Sequence, residues 1–119
     1  MIRTKKIGQR GEAIALEYLK KTNYQIIALN YRSGRLEVDI IAKQNKRLIF
    51  FEVKTRFQNR ADENEIPLAG QQIKNLKRAL IDYCFKNSIS LTLTHLDLIV
   101  ILVNRTTRLA SLRHYQDIF

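Results

Sequence analysis

Two neighbouring runs constrain this chain more than anything else in it: Leu36-Glu37-Val38-Asp39-Ile40-Ile41-Ala42 and Leu48-Ile49-Phe50-Phe51-Glu52-Val53-Lys54-Thr55-Arg56. Both are rich in Ile, Val and Phe, as strands are. The polar stretch between them, Lys43 to Arg47, has hairpin length. A two-residue loop at Asn45 and Lys46 sets the pairing: Gln44 opposite Arg47, Asp39 opposite Glu52, Glu37 opposite Lys54. Residues two apart on a strand share a face, so Glu37 and Asp39 project together, as do Glu52 and Lys54. Opposed side chains on one face have Cβ atoms ~4.5–5.5 Å apart. Three carboxylates and a lysine then meet in one small patch. An ionised carboxylate among apolar neighbours costs several kcal/mol unless something pairs with it. A divalent cation is one such partner; a plain Glu37–Lys54 cross-strand ion pair, worth ~0.2–1 kcal/mol, is another.

The rest of the chain supplies a frame for this hairpin. Its 119 residues suffice for a single domain, 1–119, with one modest core. Gly8 to Lys21 predicts a helix, with Ala13, Leu16 and Leu19 joined by Ile14, Ala15 and Tyr18 on a broad apolar face. Gln25 to Tyr31 predicts a strand that Ser33-Gly34 turns. The stretch 57–70 carries Asn59, Asp62, Asn64, Pro67 and Gly70, and mixes Arg60 with Asp62, Glu63 and Glu65; it reads as a mobile loop beside the patch. Gln71 to Lys86 predicts a second helix, with Ile73, Leu76, Leu80 and Cys84 on one face and Lys74, Lys77 and Arg78 on another. Leu96 to Val103 is apolar enough for a strand buried on both sides. The tail from Arg108 to Phe119 adds a short edge strand or packs loosely. Helix, three strands, helix, strand, with a hairpin followed by a helical crossover, gives an α/β fold with a mixed central sheet flanked by helices.

Charge points to a partner. Twenty-one Lys and Arg against eleven Asp and Glu leave a net charge of +10, which attracts polyanions, nucleic acid foremost. Arg10, Arg32, Arg56, Arg60, Lys74, Lys77 and Arg78 are candidates to hold phosphates, although any one of them also suits a solvated face. Cys84 is the only cysteine; it sits in the apolar helical pattern as a core residue, and a reducing, cytoplasmic setting fits. The basic start, Met1 to Lys6, is followed by no apolar stretch and is not a signal peptide. The longest apolar run, the six residues Leu98 to Val103, cannot span a bilayer, so no membrane partner is expected. His95 and His114 have no neighbour at metal-ligand spacing and read as structural. Asp97, inside the apolar strand, caps or pairs structurally, or supports the site from a distance.

Asp39 followed by Glu52-Val53-Lys54 matches the carboxylate and (Asp/Glu)-x-Lys pattern of metal-dependent nucleases. Cutting a phosphodiester needs an attacking water, neutralisation at the phosphoryl oxygens and help for the leaving oxygen. Magnesium, or manganese in its place, takes oxygen ligands at ~2.0–2.1 Å and keeps several waters, so a few carboxylates suffice to hold it. Asp39 and Glu52 could bridge such an ion, the Val53 carbonyl could add a ligand, and Lys54 could orient the water or steady the developing charge.

The stretches Gly8-Gln9-Arg10-Gly11-Glu12-Ala13, Tyr18-Leu19, Asn30-Tyr31-Arg32, Glu37 to Ala42 and Phe51-Glu52-Val53-Lys54-Thr55-Arg56 resemble the YraN-like family of small bacterial proteins, from about Gly8 to Phe119. That family looks like a member of the restriction-endonuclease-like superfamily of (Asp/Glu)-x-Lys nucleases, which includes Holliday-junction resolvases. The resemblance implies a restriction-endonuclease-like core, with Asp39, Glu52 and Lys54 as its site and Glu12 of the first helix as an added acid. For Glu12, the bland alternative is an acid placed at a helix start by the macrodipole. The resemblance also implies a metal-dependent endonuclease acting on DNA, branched or processed structures among its candidate substrates, and a homodimer. Here Leu36 stands where relatives usually have Gly, Val38 where the superfamily often has Pro, and Gln72 where relatives often have Lys. The rival expectations are a non-catalytic nucleic-acid-binding module on the same fold, and an interaction protein whose acidic patch is an ion-pair network.

Overall fold

The computed structural model describes residues 2–57 and 68–118. Helix α1 (Ile2–Lys21) leads into β1 (Gln25–Ser33), β2 (Leu36–Gln44) and β3 (Arg47–Phe57). Helix α2 (Gly70–Lys86) crosses to β4 (Thr94–Val103), and β5 (Ala110–Tyr115) follows. The sheet runs β1-β2-β3-β4-β5 in space, with β3 and β4 parallel and every other neighbouring pair antiparallel. This is the expected α/β order with a fifth strand at the edge, the alternative that the sequence left open for its tail. Most of the loop expected over 57–70, with Arg60, Asp62, Glu63 and Glu65, lies outside the described residues.

Helix α1 starts at Ile2 rather than Gly8. Apolar periodicity fades before Gly8, but Arg3, Lys5 and Lys6 are good helix formers and nothing there breaks a helix. Glu12 therefore stands in mid-helix. The macrodipole acts only within the first turn and does not account for an acid at this position.

The helices cover opposite faces of the sheet. On the α1 face, Ala15 and Leu19 pack with Ile40, Ala42, Ile49, Phe51, Ile99 and Ile101. On the α2 face, Leu76, Ala79, Leu80 and Cys84 pack with Val38, Ile41, Leu48, Phe50 and Leu96. Seven consecutive residues of β4, Leu96 to Leu102, are buried, as a strand between two helix layers must be.

Asp97 is one of these seven. Its Oδ2 takes a contact from His114 Nε2 at 2.7 Å, and its Oδ1 accepts the Asp117 backbone N–H at 3.0 Å. The other ring nitrogen of His114, Nδ1, meets the Tyr18 hydroxyl at 2.7 Å. His95 Nδ1 lies 2.5 Å from Asp117 Oδ1. Each histidine thus has a carboxylate partner, and together these contacts tie α1, β4, β5 and the tail.

Candidate active site

The hairpin forms in the register its loop length dictates. Gln44 pairs with Arg47 and the ladder runs to Ile40↔Phe51. Asn45 adopts the left-handed conformation, φ 58°, which asparagine tolerates better than most residues. Beyond Ile40 and Phe51 the two strands part. Val38 packs on the α2 face, whereas Ile40, two residues on, packs on the α1 face. Regular alternation forbids this, so β2 changes face at Asp39. The partner strand does the same: Ala28 and Tyr31, three apart, both pack on the α2 side, and Asn30 between them has φ 51°. Asp39 fills the gap that results, its Oδ2 accepting the Val53 backbone N–H at 2.8 Å.

Glu52 and Lys54 project from β3 on the face opposite Val53, toward α2. Asp39 and Glu52 line one cavity, and the charge of Asp39 bears on the Glu52 carboxyl. Lys54 Nζ stands 3.8 Å from Glu52 Oε1, each side chain only 18% exposed. The expected pairing of Glu37 with Lys54 does not form. With the strands parted and the face reversed at Asp39, Glu37 instead sits opposite Arg32 on β1, with Nη2 to Oε2 at 3.5 Å.

Electrostatics follow from this crowding. Burial, then the charge of Asp39 and the hydrogen bond with it, push Glu52 from its ordinary 4.5 up to about 8, against the opposing pull of Lys54. Burial also raises Asp39, while the Val53 N–H and the bond from Glu52 hold it down. Glu52 thus holds its proton to higher pH than an ordinary carboxyl does, and the proton relieves the repulsion between it and Asp39. The folded chain binds this proton between 4.5 and about 8 and the unfolded chain does not. The stability it contributes is therefore complete below the unfolded value and lost as pH rises through about 8. Without divalent ions, the free energy of unfolding is expected to fall by on the order of a few kcal/mol as pH rises from about 5 to about 8, and the melting temperature with it. Glu52→Gln should flatten that slope; an unchanged slope in thermal melts of the variant would contradict the retained proton.

Glu12 reaches Asp39 from the other side. Burial raises its pKa first, followed by the charges of Asp39 and Glu37 and a hydrogen bond to Asp39. A cavity of about 100 Å³ between Glu12, Ala13, Leu16, Leu29 and Asp39 opens on this α1 face. Gly11 permits the approach: a Cβ there would lie 2.0 Å from Thr55 Oγ1 and 3.4 Å from Thr55 Cβ. Gly to Ala inside a helix usually gains up to ~1 kcal/mol, but overpacking costs ~1–3 kcal/mol. Gly11→Ala is therefore expected to destabilise by about 1 kcal/mol, and Thr55→Ala in the same chain should relieve it. Urea titration of the single and double variants measures this; a stabilised Gly11→Ala would refute the close contact.

A larger cavity, about 320 Å³, opens on the α2 face and is lined by Arg35, Leu36, Glu37, Asp39, Glu52, Gln72, Asn75 and Leu76. Of the expected phosphate-holding residues, Arg10 is exposed on α1 and Arg32 is engaged by Glu37. Arg56 is exposed, its Nη1 donating to the Thr55 carbonyl at 3.1 Å. Lys74 and Arg78 are exposed on α2 while Lys77 is half-buried, and none of these three lines the cavity. Arg35 does line it and was missing from the sequence expectations. Its place after Gly34, two residues before Glu37 in the β1–β2 turn, was the available signal.

The donors around Asp39 are hard carboxylate oxygens, which suit magnesium or manganese. Among the described residues, no group of three or more His, Cys, Asp and Glu side chains gathers as a complete metal cage. An ion that keeps most of its waters needs only one or two carboxylates, so the pair fits such an ion.

Fold and site together define an α/β protein with a mixed sheet, carrying a buried carboxylate pair and a lysine where its central strands part. Residues 11–101 match the family described as "Uncharacterised protein family UPF0102", and the chain belongs to that family, the YraN-like family its motifs resemble. A UPF0102 protein of Christiangramia forsetii is 35% identical over 113 residues, covering 95% of this chain and 92% of the relative. One from Geotalea uraniireducens is 31% identical over 115 residues, covering 97% and 90%. Among solved structures, Hjc of Archaeoglobus fulgidus, described as a Holliday junction resolvase, is similar with a TM-score of 0.49 and 21% identity, over 92% of this chain and 71% of that one. Among the described residues, no helix is long and apolar enough to cross a membrane.

Proposed function

We propose that this protein is a nucleic-acid-binding, divalent-metal-dependent endonuclease acting on DNA. The observation that carries this reading is that Asp39, anchored on the Val53 N–H, and Glu52 line one cavity, with Lys54 Nζ 3.8 Å from Glu52. Two adjoining carboxylates repel each other, and their repulsion is relieved either by a shared proton or by a cation. Asp39 and Glu52 would hold magnesium or manganese, which when bound supplies charge neutralisation at the phosphoryl group and a more acidic water. Val53 contributes chiefly through its N–H, which orients Asp39; its carbonyl is a further candidate ligand. Lys54, fixed by Glu52, is placed to orient the attacking water or to balance charge on the phosphate. Glu12 buttresses Asp39 from the α1 side and can accept a proton there. The net charge of +10 draws in the polyanion that an acidic centre alone would repel.

A second reading, a non-catalytic binding module on the same fold, is favoured by the lack of a complete metal cage among the described residues. A cleavage screen separates the two. Single-stranded, duplex and branched DNA are incubated with magnesium or manganese, with Glu52→Gln as control. Cleavage that requires metal and is lost in the variant supports the enzyme. Binding with steep salt dependence and no cleavage under any condition supports the module.

A further inference from the structure

The 320 Å³ cavity has an acidic side, Asp39 and Glu52 with Glu37, the last engaged by Arg32, and a different kind of wall, Arg35 together with Gln72 and Asn75 of α2. Asn and Gln amides read base edges by using their donor and acceptor together. Here both acceptors are already engaged. Gln72 Oε1 accepts the Ala69 backbone N–H at 3.1 Å; only an oxygen can do this, which fixes the orientation of that amide. Asn75 Oδ1 accepts from Gln71 Nε2 at 3.0 Å. Each oxygen keeps one lone pair, whereas the NH2 group of each amide makes no hydrogen bond among the described residues. Arg35 adds up to five N–H donors and makes no hydrogen bond or ion pair among the described residues. The wall therefore offers chiefly donors, close to the start of α2 at Gly70, where the helix dipole is positive. The volume is that of a nucleotide-sized pocket, at the lower end of the ~300–1,000 Å³ typical of ligand sites.

We propose that Arg35, Gln72 and Asn75 form a phosphate-binding wall that grips the sugar–phosphate backbone of the nucleic-acid strand beside the carboxylate pair, without reading its bases. Donor-only chemistry suits phosphate oxygens, which accept and never donate; among base edges it matches only those that present acceptors alone, such as guanine O6 and N7, and the all-G·C and all-A·T duplexes below test for that readout. The proposal rests on the nucleic-acid reading above, but it concerns binding, not cleavage. A protein that binds through this wall and never cuts leaves it intact, and a nuclease indifferent to these residues removes it alone.

The test is fluorescence anisotropy with labelled DNA duplexes in EDTA, over a series of salt concentrations. One duplex is of mixed sequence, one all A·T and one all G·C. Arg35→Ala is expected to reduce the slope of log affinity against log salt by about 0.9, the signature of one lost phosphate contact. Gln72→Glu and Asn75→Asp keep the acceptor oxygens that Ala69 and Gln71 use; Glu at 72 falls in the first turn of α2, where an acid is tolerated. Each replaces NH2 donors by anionic oxygen and should weaken binding roughly tenfold or more, equally on all three duplexes. Lys46→Ala, at the far end of the β2–β3 hairpin, should leave the slope unchanged. The proposal is overturned if the unaltered protein fails to bind, if Arg35→Ala keeps the full slope, or if Lys46→Ala lowers it as much. It is also overturned if the amide variants change affinity for one base composition only.

Discussion

Glu52→Gln is expected to fold as the parent does and to lower metal-dependent cleavage of DNA by roughly 10²–10³-fold, the usual cost of removing one preorganised electrostatic element from an active site. The fold should survive because Glu52 is already neutral near pH 7, its pKa held up to about 8 by burial and by Asp39. Gln offers an N–H where the carboxyl offers an O–H, so the bond to Asp39 can persist. What it cannot do is become an anionic ligand. Asp39→Asn has a second consequence. Burial is the first cause of the raised Glu52 pKa and the charge of Asp39 the second, so the variant should titrate Glu52 at lower pH. Lys54→Ala should move it the other way, since Lys54 opposes the rise. Carboxyl titration by NMR reads both shifts without any activity. Cleavage rates for the three variants with magnesium and manganese then separate loss of ligand from loss of fold. Full activity in Glu52→Gln would remove Glu52 from the chemistry.

Asp97→Ala is expected to cost ~3–5 kcal/mol, the sum of two buried polar groups left without a partner, at ~1–3 kcal/mol each, and the space the side chain vacates. Its side chain is 1% exposed and that of His114 8%. Removing the carboxylate strands His114 Nε2 and the Asp117 N–H and leaves a void between α1 and β4. Because small domains are stable by only ~5–15 kcal/mol, this variant should be close to unfolding at physiological temperature. Asp97→Asn keeps an oxygen for Asp117 and can donate to a neutral His114, so it should cost less than half as much. Urea midpoints measure both, and hydrogen exchange should report early opening of β5. A loss under ~1 kcal/mol in Asp97→Ala would mean that the tail is held by its strand pairing alone.

The hairpin and its loop were legible in the sequence because a two-residue loop and a period of two leave little freedom in register; Asp39 and Glu52 lie beyond the ladder's last pair, Ile40↔Phe51, where that pattern no longer holds. The buried character of β4 and the apolar faces of both helices were legible for the same kind of reason. The fate of Glu37 was not. It depends on the change of face at Asn30 and Asp39, where neither residue type announces an irregularity, and Asn30 reads in sequence as one more polar strand position. The start of α1 was missed because its first residues contribute little to the apolar stripe by which helices are recognised.

Local pattern determined the strands, the two helices and the basic balance, since each depends on spacing within a few residues or on a sum over the chain. Only the tertiary structure decided which groups meet across long separations. Glu12 comes to Asp39 because Gly11 lets α1 lie close on Thr55. Arg35 shares a cavity with Gln72 and Asn75 because α2 crosses the parted strands. Tyr18, Asp97 and His114 join because β5 closes the sheet edge beneath α1. The physical reason is common to all three: such contacts are set by how helices pack on a sheet, and packing couples residues that no periodicity links.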